Sequence, residues 1–142
     1  MISNIRHIGI VVKDFERSLR FYKLIGFEES QRGQMKEPSD YIDKLSAGKN
    51  IKVTTIKLAA PDNSMIELLD YGDTTKVENR SLFTNGIAHF AVTVKDVEKV
   101  YERLVQEGIE FLSPPLISPN GFAKLAFCKA PEGTFIEIVQ EL

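Results

Sequence analysis

The chain has one cysteine, two histidines and no long hydrophobic run, and each shortage removes a class of function. A single thiol, Cys128, excludes an intramolecular disulfide and any zinc site built from several cysteines, and it fits a reducing compartment. The longest uninterrupted apolar stretch is the five residues Ile8-Gly9-Ile10-Val11-Val12, far short of the roughly 20 that a membrane-spanning helix needs. The first residues lack the basic-then-apolar layout of a secretory leader, so the expected location is the cytoplasm, with no membrane partner. Excess charge is missing as well. With 18 Lys and Arg against 20 Asp and Glu, the chain offers no electrostatic footprint for nucleic acid, and a small molecule is the expected partner.

What is present suffices for a single folded domain: 142 residues, of which 43% are hydrophobic. The chain also repeats itself. His7-Ile-Gly-Ile-Val-Val-Lys-Asp-Phe-Glu16 lies over His89-Phe-Ala-Val-Thr-Val-Lys-Asp-Val-Glu98 at an offset of 82 residues. The register holds without a gap to Gly26 and Glu28 opposite Gly108 and Glu110, with seven of 22 positions identical. Ala60-Pro-Asp-Asn-Ser-Met-Ile-Glu67 lies over Ala130-Pro-Glu-Gly-Thr-Phe-Ile-Glu137 at an offset of 70. The first half therefore carries twelve extra residues between about Ser30 and Thr54, where Tyr41, Ile42 and Leu45 predict a short helical turn among loop residues. These limits predict module 1 over residues 1–73, a polar linker over 74–85 and module 2 over 86–142.

Each half reads as strand, helix, then further strands, a βαβββ unit of the α+β class. Residues 5–12 and 87–94 are β-branched or aromatic runs, each ending at an Asp suited to cap a helix, Asp14 and Asp96. Phe15, Leu19 and Tyr22, like Val97, Val100, Tyr101 and Leu104, recur at helical spacing, and Gly26 and Gly108 stand where a glycine stop is expected. Strands follow near 53–59 and 65–71, and near 123–128 and 134–140; one near 28–32 or 109–112 is weakly marked. The two Ala-Pro segments supply the turns before the last strand of each half.

Strand alternation then sorts the faces. Ile8, Ile10 and Val12 share one face, His7, Gly9 and Val11 the other; Phe90, Val92 and Val94 likewise oppose His89, Ala91 and Thr93. The histidine face is otherwise small, which leaves room beside each imidazole. Ile66 and Leu68, with Ile136 and Ile138, take the packing face of the last strands, so Glu67 and Glu137 project to the other side. A lone strand histidine is ordinarily structural and a lone strand glutamate ordinarily solvated. Here both histidines of the chain occupy the same place in the repeat, and each half supplies a matched carboxylate, costly to bury unless paired or bound to a metal. If the two modules pair into one curved mixed sheet, His7, Glu67, His89 and Glu137 converge on its concave side. Two nitrogens and two oxygens suit a divalent ion such as Zn, Ni, Co, Mn or Fe, with positions left for substrate oxygens or water.

Arg6-His-Ile-Gly-Ile-Val-Val-Lys-Asp, Ser18-Leu-Arg-Phe-Tyr with Gly26-Phe27, Ile66-Glu-Leu-Leu, Ile87-Ala-His-Phe-Ala-Val and Pro131-Glu-Gly-Thr-Phe-Ile-Glu-Ile come in the order and spacing of a known family. In these segments the chain resembles the vicinal oxygen chelate superfamily, which includes glyoxalase I, methylmalonyl-CoA epimerase, extradiol dioxygenases, and fosfomycin- and bleomycin-resistance proteins. The resemblance covers essentially the whole chain. It implies paired βαβββ modules around a metal cavity, a metal held by His7, Glu67, His89 and Glu137, and a homodimer. Four ligand positions favour the glyoxalase and epimerase branch over the dioxygenases, whose pattern leaves the position of Glu67 without a ligand.

The implied reaction is metal-stabilised enediolate proton transfer on a small carbonyl or thioester substrate, by a lyase or isomerase in which Glu137 acts as base and Glu67 is the second candidate. Two departures bear on the substrate. Glyoxalase I places an arginine four residues after its first ligand and an asparagine four after its second, both on glutathione, where this chain has Val11 and Tyr71. The epimerase usually has glutamine at Glu67 and a paired histidine at Ala88-His89. Both argue against those families' own substrates. The alternatives on this scaffold are a metal-free ligand-sequestering protein of the bleomycin-resistance kind, and a dioxygenase or metal-dependent thiol transferase. Tyr41, Phe83, Asn120 and Phe122 are further pocket candidates, each better explained by ordinary loop packing; Cys128 reads as a small core residue and Lys124 as a strand-surface charge.

Overall fold

The computed structural model of the chain describes residues 1–35, 37–74 and 79–142. It forms two units, Met1–Lys76 and Val77–Leu142. Of the linker expected over 74–85, residues 75–78 lie outside the described residues.

In the first unit β1 (Ile8–Val11), α1 (Phe15–Leu24), β2 (Glu28–Met35), α2 (Asp40–Ser46), β3 (Val53–Ala59) and β4 (Met65–Asp70) follow in order. The strands make one mixed sheet, β1-β4-β3-β2, in which β1 runs parallel to β4 and the other neighbours are antiparallel. The second unit has β5 (His89–Thr93), α3 (Val97–Gln106), β6 (Glu110–Phe111), β7 (Leu116–Ile117), β8 (Ala123–Lys129) and β9 (Phe135–Glu141). Its sheet runs β5-β9-β8-β6, with β7 also on β8. The α+β class is as expected. The strand weakly marked in sequence is long in the first unit and two residues in the second, where the short β7 adds a pairing not foreseen.

The two long helices start and stop by the same chemistry. Asp14 accepts the Arg17 N–H at 3.0 Å and Asp96 the Lys99 N–H at 3.1 Å, satisfying donors that a helix start leaves orphaned. The Asp96 carboxyl is held below its ordinary range, first by that Lys99 amide and then by the Lys99 side chain. At the other end Gly26 and Gly108 take φ of 108° and 78°. Phe27 N–H reaches Tyr22 O and Ile109 N–H reaches Leu104 O, while the glycines bond Lys23 O and Val105 O. Both ends are thus Schellman closures, which need a residue without Cβ strain at that position. The turns before the last strands also match: Ala60 and Ala130 donate to Ser64 O and Thr134 O, with Asn63 and Gly133 at positive φ. In the extra segment Ser39 caps α2, as the helical turn expected there requires.

Each unit packs its helix on one face of its sheet, α1 against β4 and α3 against β8 and β9. The alternation read from the sequence holds: Val12, Leu68, Ile136 and Ile138 are fully buried, whereas Gly9, Val11, Ala91 and Thr93 are exposed. Both first strands start later than expected, and β5, expected over 87–94, spans His89–Thr93. The strand expected over 5–12 begins at Ile8, because its ladder begins at the pairing of Ile8 with Ile66, and His7 stands one residue ahead of it. Among the described residues no helix is long and apolar enough to cross a membrane.

Cys128 is buried in β8, and burial pushes its thiol up to about 12. The thiolate is the reactive species. Ellman's reagent at pH 8 should therefore leave the native chain almost unmodified and label it promptly once urea unfolds it; prompt labelling of the native chain would contradict this packing.

Candidate metal centre

In the first unit the parallel register sets Gly9 beside Glu67, and two residues earlier His7 reaches the same face. Its Nε2 lies 3.2 Å from Glu67 Oε2. In the second unit Ala91 stands beside Glu137, and His89 Nε2 lies 3.0 Å from Glu137 Oε2. The repeat in sequence is thus a repeat in geometry, down to equal atoms and near-equal spacing. The imidazoles are 31% and 34% exposed and the carboxylates 15% and 20%, so both pairs are sheltered yet open to a ligand. Gly9 and Ala91 set no bulky side chain of their own beside the carboxylates, and at Gly9 the Leu69 side chain closes in to 3.3 Å of where a Cβ would stand.

His89 is held further by Phe127, whose ring meets it edge-on at 5.0 Å. Its Nδ1 is buried without a hydrogen-bond partner among the described residues. A neutral imidazole carries one N–H and one lone pair, and where the pair closes as a hydrogen bond Nε2 holds the proton, because the carboxylate only accepts.

The donor spacing fits a bound metal as well as it fits a hydrogen bond. Bonds of about 2.1 Å from one ion to an imidazole nitrogen and a carboxylate oxygen, at angles of roughly 90–110°, separate the two donors by about 3.0–3.4 Å. Both pairs are at or near that separation. Taken alone, neither unit supplies a full set: among the described residues no three or more His, Cys, Asp or Glu side chains gather as a metal cluster.

The remaining candidates fall to structural roles or to open surface. Asn120 Oδ1 accepts the Phe122 N–H at 3.1 Å and the Ser118 hydroxyl at 2.6 Å, closing the turn after β7. Lys124 pairs with Glu98 of α3, on the helix side of the sheet. Tyr41, Phe83 and Phe122 are exposed. Val11 and Tyr71, at the two departures noted above, are 48% and 39% exposed and offer no guanidinium or amide. The sequence reading passed over Lys57. The offset of 70 sets it opposite Phe127 of the second half, and the β3–β4 register sets it directly across from Glu67.

The family model of the Glyoxalase/Bleomycin resistance protein/Dioxygenase superfamily matches residues 4–138. The chain belongs to this superfamily. Among relatives, the lactoylglutathione lyase of Pseudomonas aeruginosa is 27% identical over 94% of this chain and 80% of its own length. A glyoxalase family protein of Bacillus cereus superposes with a TM-score of 0.88 at 20% identity, covering 100% of this chain and 96% of that one. The fosfomycin resistance protein FosX of Listeria monocytogenes, solved with Mn(II) and a dihydroxypropylphosphonic acid, superposes at 0.67 with 18% identity over 97% and 90%. The superfamily includes enzymes, and the glyoxalase-like fold that the resemblance implied is the fold these structures share.

Proposed function

We propose that the protein is a divalent-metal-dependent lyase or isomerase of the glyoxalase type, acting on a small carbonyl or thioester substrate. The observation that carries this reading is the duplicated His–Glu pair, at 3.2 and 3.0 Å on the unpacked face of each sheet. His7, Glu67, His89 and Glu137 would hold the ion together, either within one chain or across a homodimer. When bound, the ion supplies Lewis-acid stabilisation of the negative charge that develops on a substrate oxygen. The protein's part is proton movement. Glu137, on a strand buried behind it by Ile136 and Ile138, takes the proton from the carbon beside the substrate carbonyl and returns it; Glu67 is the second candidate for that role. Related lactoylglutathione lyases support the lyase reading, and the manganese of the fosfomycin-resistance neighbour supports the ion.

The same spacing also closes as a plain hydrogen bond, and then the two pairs need no ion. That is the arrangement of a metal-free ligand-sequestering protein. Metal analysis by native mass spectrometry of untagged protein, stripped and then titrated with Zn, Ni, Co and Mn, separates the readings. One ion per four-donor set is the expected result, and the assembly mass tells whether one chain or two supply the set. A folded protein that binds none of the four ions overturns the enzyme reading.

A further inference from the structure

We propose that Lys57 gives the site its substrate class: it binds an anionic group, carboxylate or phosphate-like, carried by the substrate beside its chelating oxygens. This rests on the preceding reading, that the His7–Glu67 face is a substrate face. Lys57 is the direct cross-strand partner of Glu67 in the antiparallel β3–β4 ladder. Side chains in that relation share a face, with Cβ atoms about 5 Å apart, and opposite charges so placed ordinarily pair. Here they do not. Glu67 turns to His7 instead, and among the described residues Lys57 has no carboxylate within 4.0 Å. The other cation of this sheet, Arg32, is committed to Glu29 by two contacts of 2.6 and 3.1 Å. Lys57 is half-buried, so its stem is held by the sheet while its ammonium stays uncommitted.

The second unit shows what the position is not needed for. There Phe127 takes the place of Lys57, pairs in register with Glu137, and positions His89 by its ring edge. A His–Glu pair is therefore built without a cation beside it, and the ammonium of the first unit is an addition to the repeated design. One charged and one aromatic neighbour make the two pairs unequal.

Two probes test this. Acetohydroxamate chelates a bound ion through neighbouring oxygens; the monohydroxamate of succinate does the same and adds a carboxylate. Calorimetry on the Ni-loaded protein should show the succinate compound bound tighter by about tenfold or more, the scale of one charge-assisted contact. Lys57→Gln should abolish the preference and leave acetohydroxamate affinity unchanged, while Lys57→Arg keeps it. In the metal-free protein, inorganic phosphate should shift the amide resonances of residues 55–59 and 65–69, and Lys57→Gln should remove the shifts. Equal affinity of the two hydroxamates, or a preference that survives Lys57→Gln, overturns the assignment. Phosphate shifts that depend on Lys57 in a protein that binds no metal would retain the anion site and overturn the metal reading alone. Absence of both metal and phosphate binding overturns both.

Discussion

Replacing His7 by alanine is expected to weaken divalent-ion binding by at least about a hundredfold, and replacing His89 to weaken it by a similar factor. Loss of a partner that only supports a ligand costs about 10- to 100-fold, so loss of a ligand itself has to reach the upper end of that range or pass it. The symmetry of the effect is the sharper result. His7 Nε2 and His89 Nε2 stand 3.2 and 3.0 Å from their carboxylates, with nearly equal exposure. If all four side chains hold one ion, either substitution removes the whole ion. If each pair acted alone, each substitution would halve the metal content and leave the remainder bound with parental affinity. Calorimetry combined with metal content by mass spectrometry separates these outcomes. Circular dichroism has to show both proteins folded, as it should, because the imidazoles lie on the unpacked face.

Leu68→Ala is expected to cost about 2–5 kcal/mol of stability, whereas Val11→Ala should stay within about 0.5 kcal/mol. Leu68 is wholly buried between the sheet and α1, next in sequence to Glu67 but on the opposite face, while Val11 is 48% exposed on the face of the His–Glu pair. With a urea dependence of roughly 1–3 kcal/mol per molar, the Leu68→Ala midpoint should fall by about 0.7–5 M and that of Val11→Ala by much less. Comparable losses in the two proteins would mean that the faces are assigned the wrong way round. The same comparison bears on function. A strand with one face sealed by isoleucine and leucine can hold a carboxylate on the other only if something polar or ionic meets it there, and His7 is what meets Glu67.

Much of this was legible in the chain because it is local. The alternation of Ile10 and Val12 against Gly9 and Val11, the capping aspartates Asp14 and Asp96 and the glycine stops at Gly26 and Gly108 are all properties of a few consecutive residues. Duplication reinforced each of them, since the same pattern had to make structural sense twice. The faces of His7, Glu67, His89 and Glu137 followed from strand alternation, whereas the direct pairing within each unit came from the parallel neighbours β1–β4 and β5–β9, which the sequence did not show.

The start of β1 and the place of Lys57 were not legible, and for one physical reason. A ladder begins where a partner strand begins, so β1 starts at Ile8 opposite Ile66 although residues 5–7 have strand-like composition. Lys57 shares odd parity with Glu67, but parity says nothing about which residues of two strands stand opposite. Register is set by pairing between segments distant in sequence and by the turn between them, here Ala60-Pro-Asp-Asn with Asn63 at positive φ. The sequence by itself therefore determined the repeat, its helices and the faces of its strands. Only the tertiary structure decided which side chains on those faces are neighbours, because neighbourhood across a sheet is a long-range contact that no local pattern encodes.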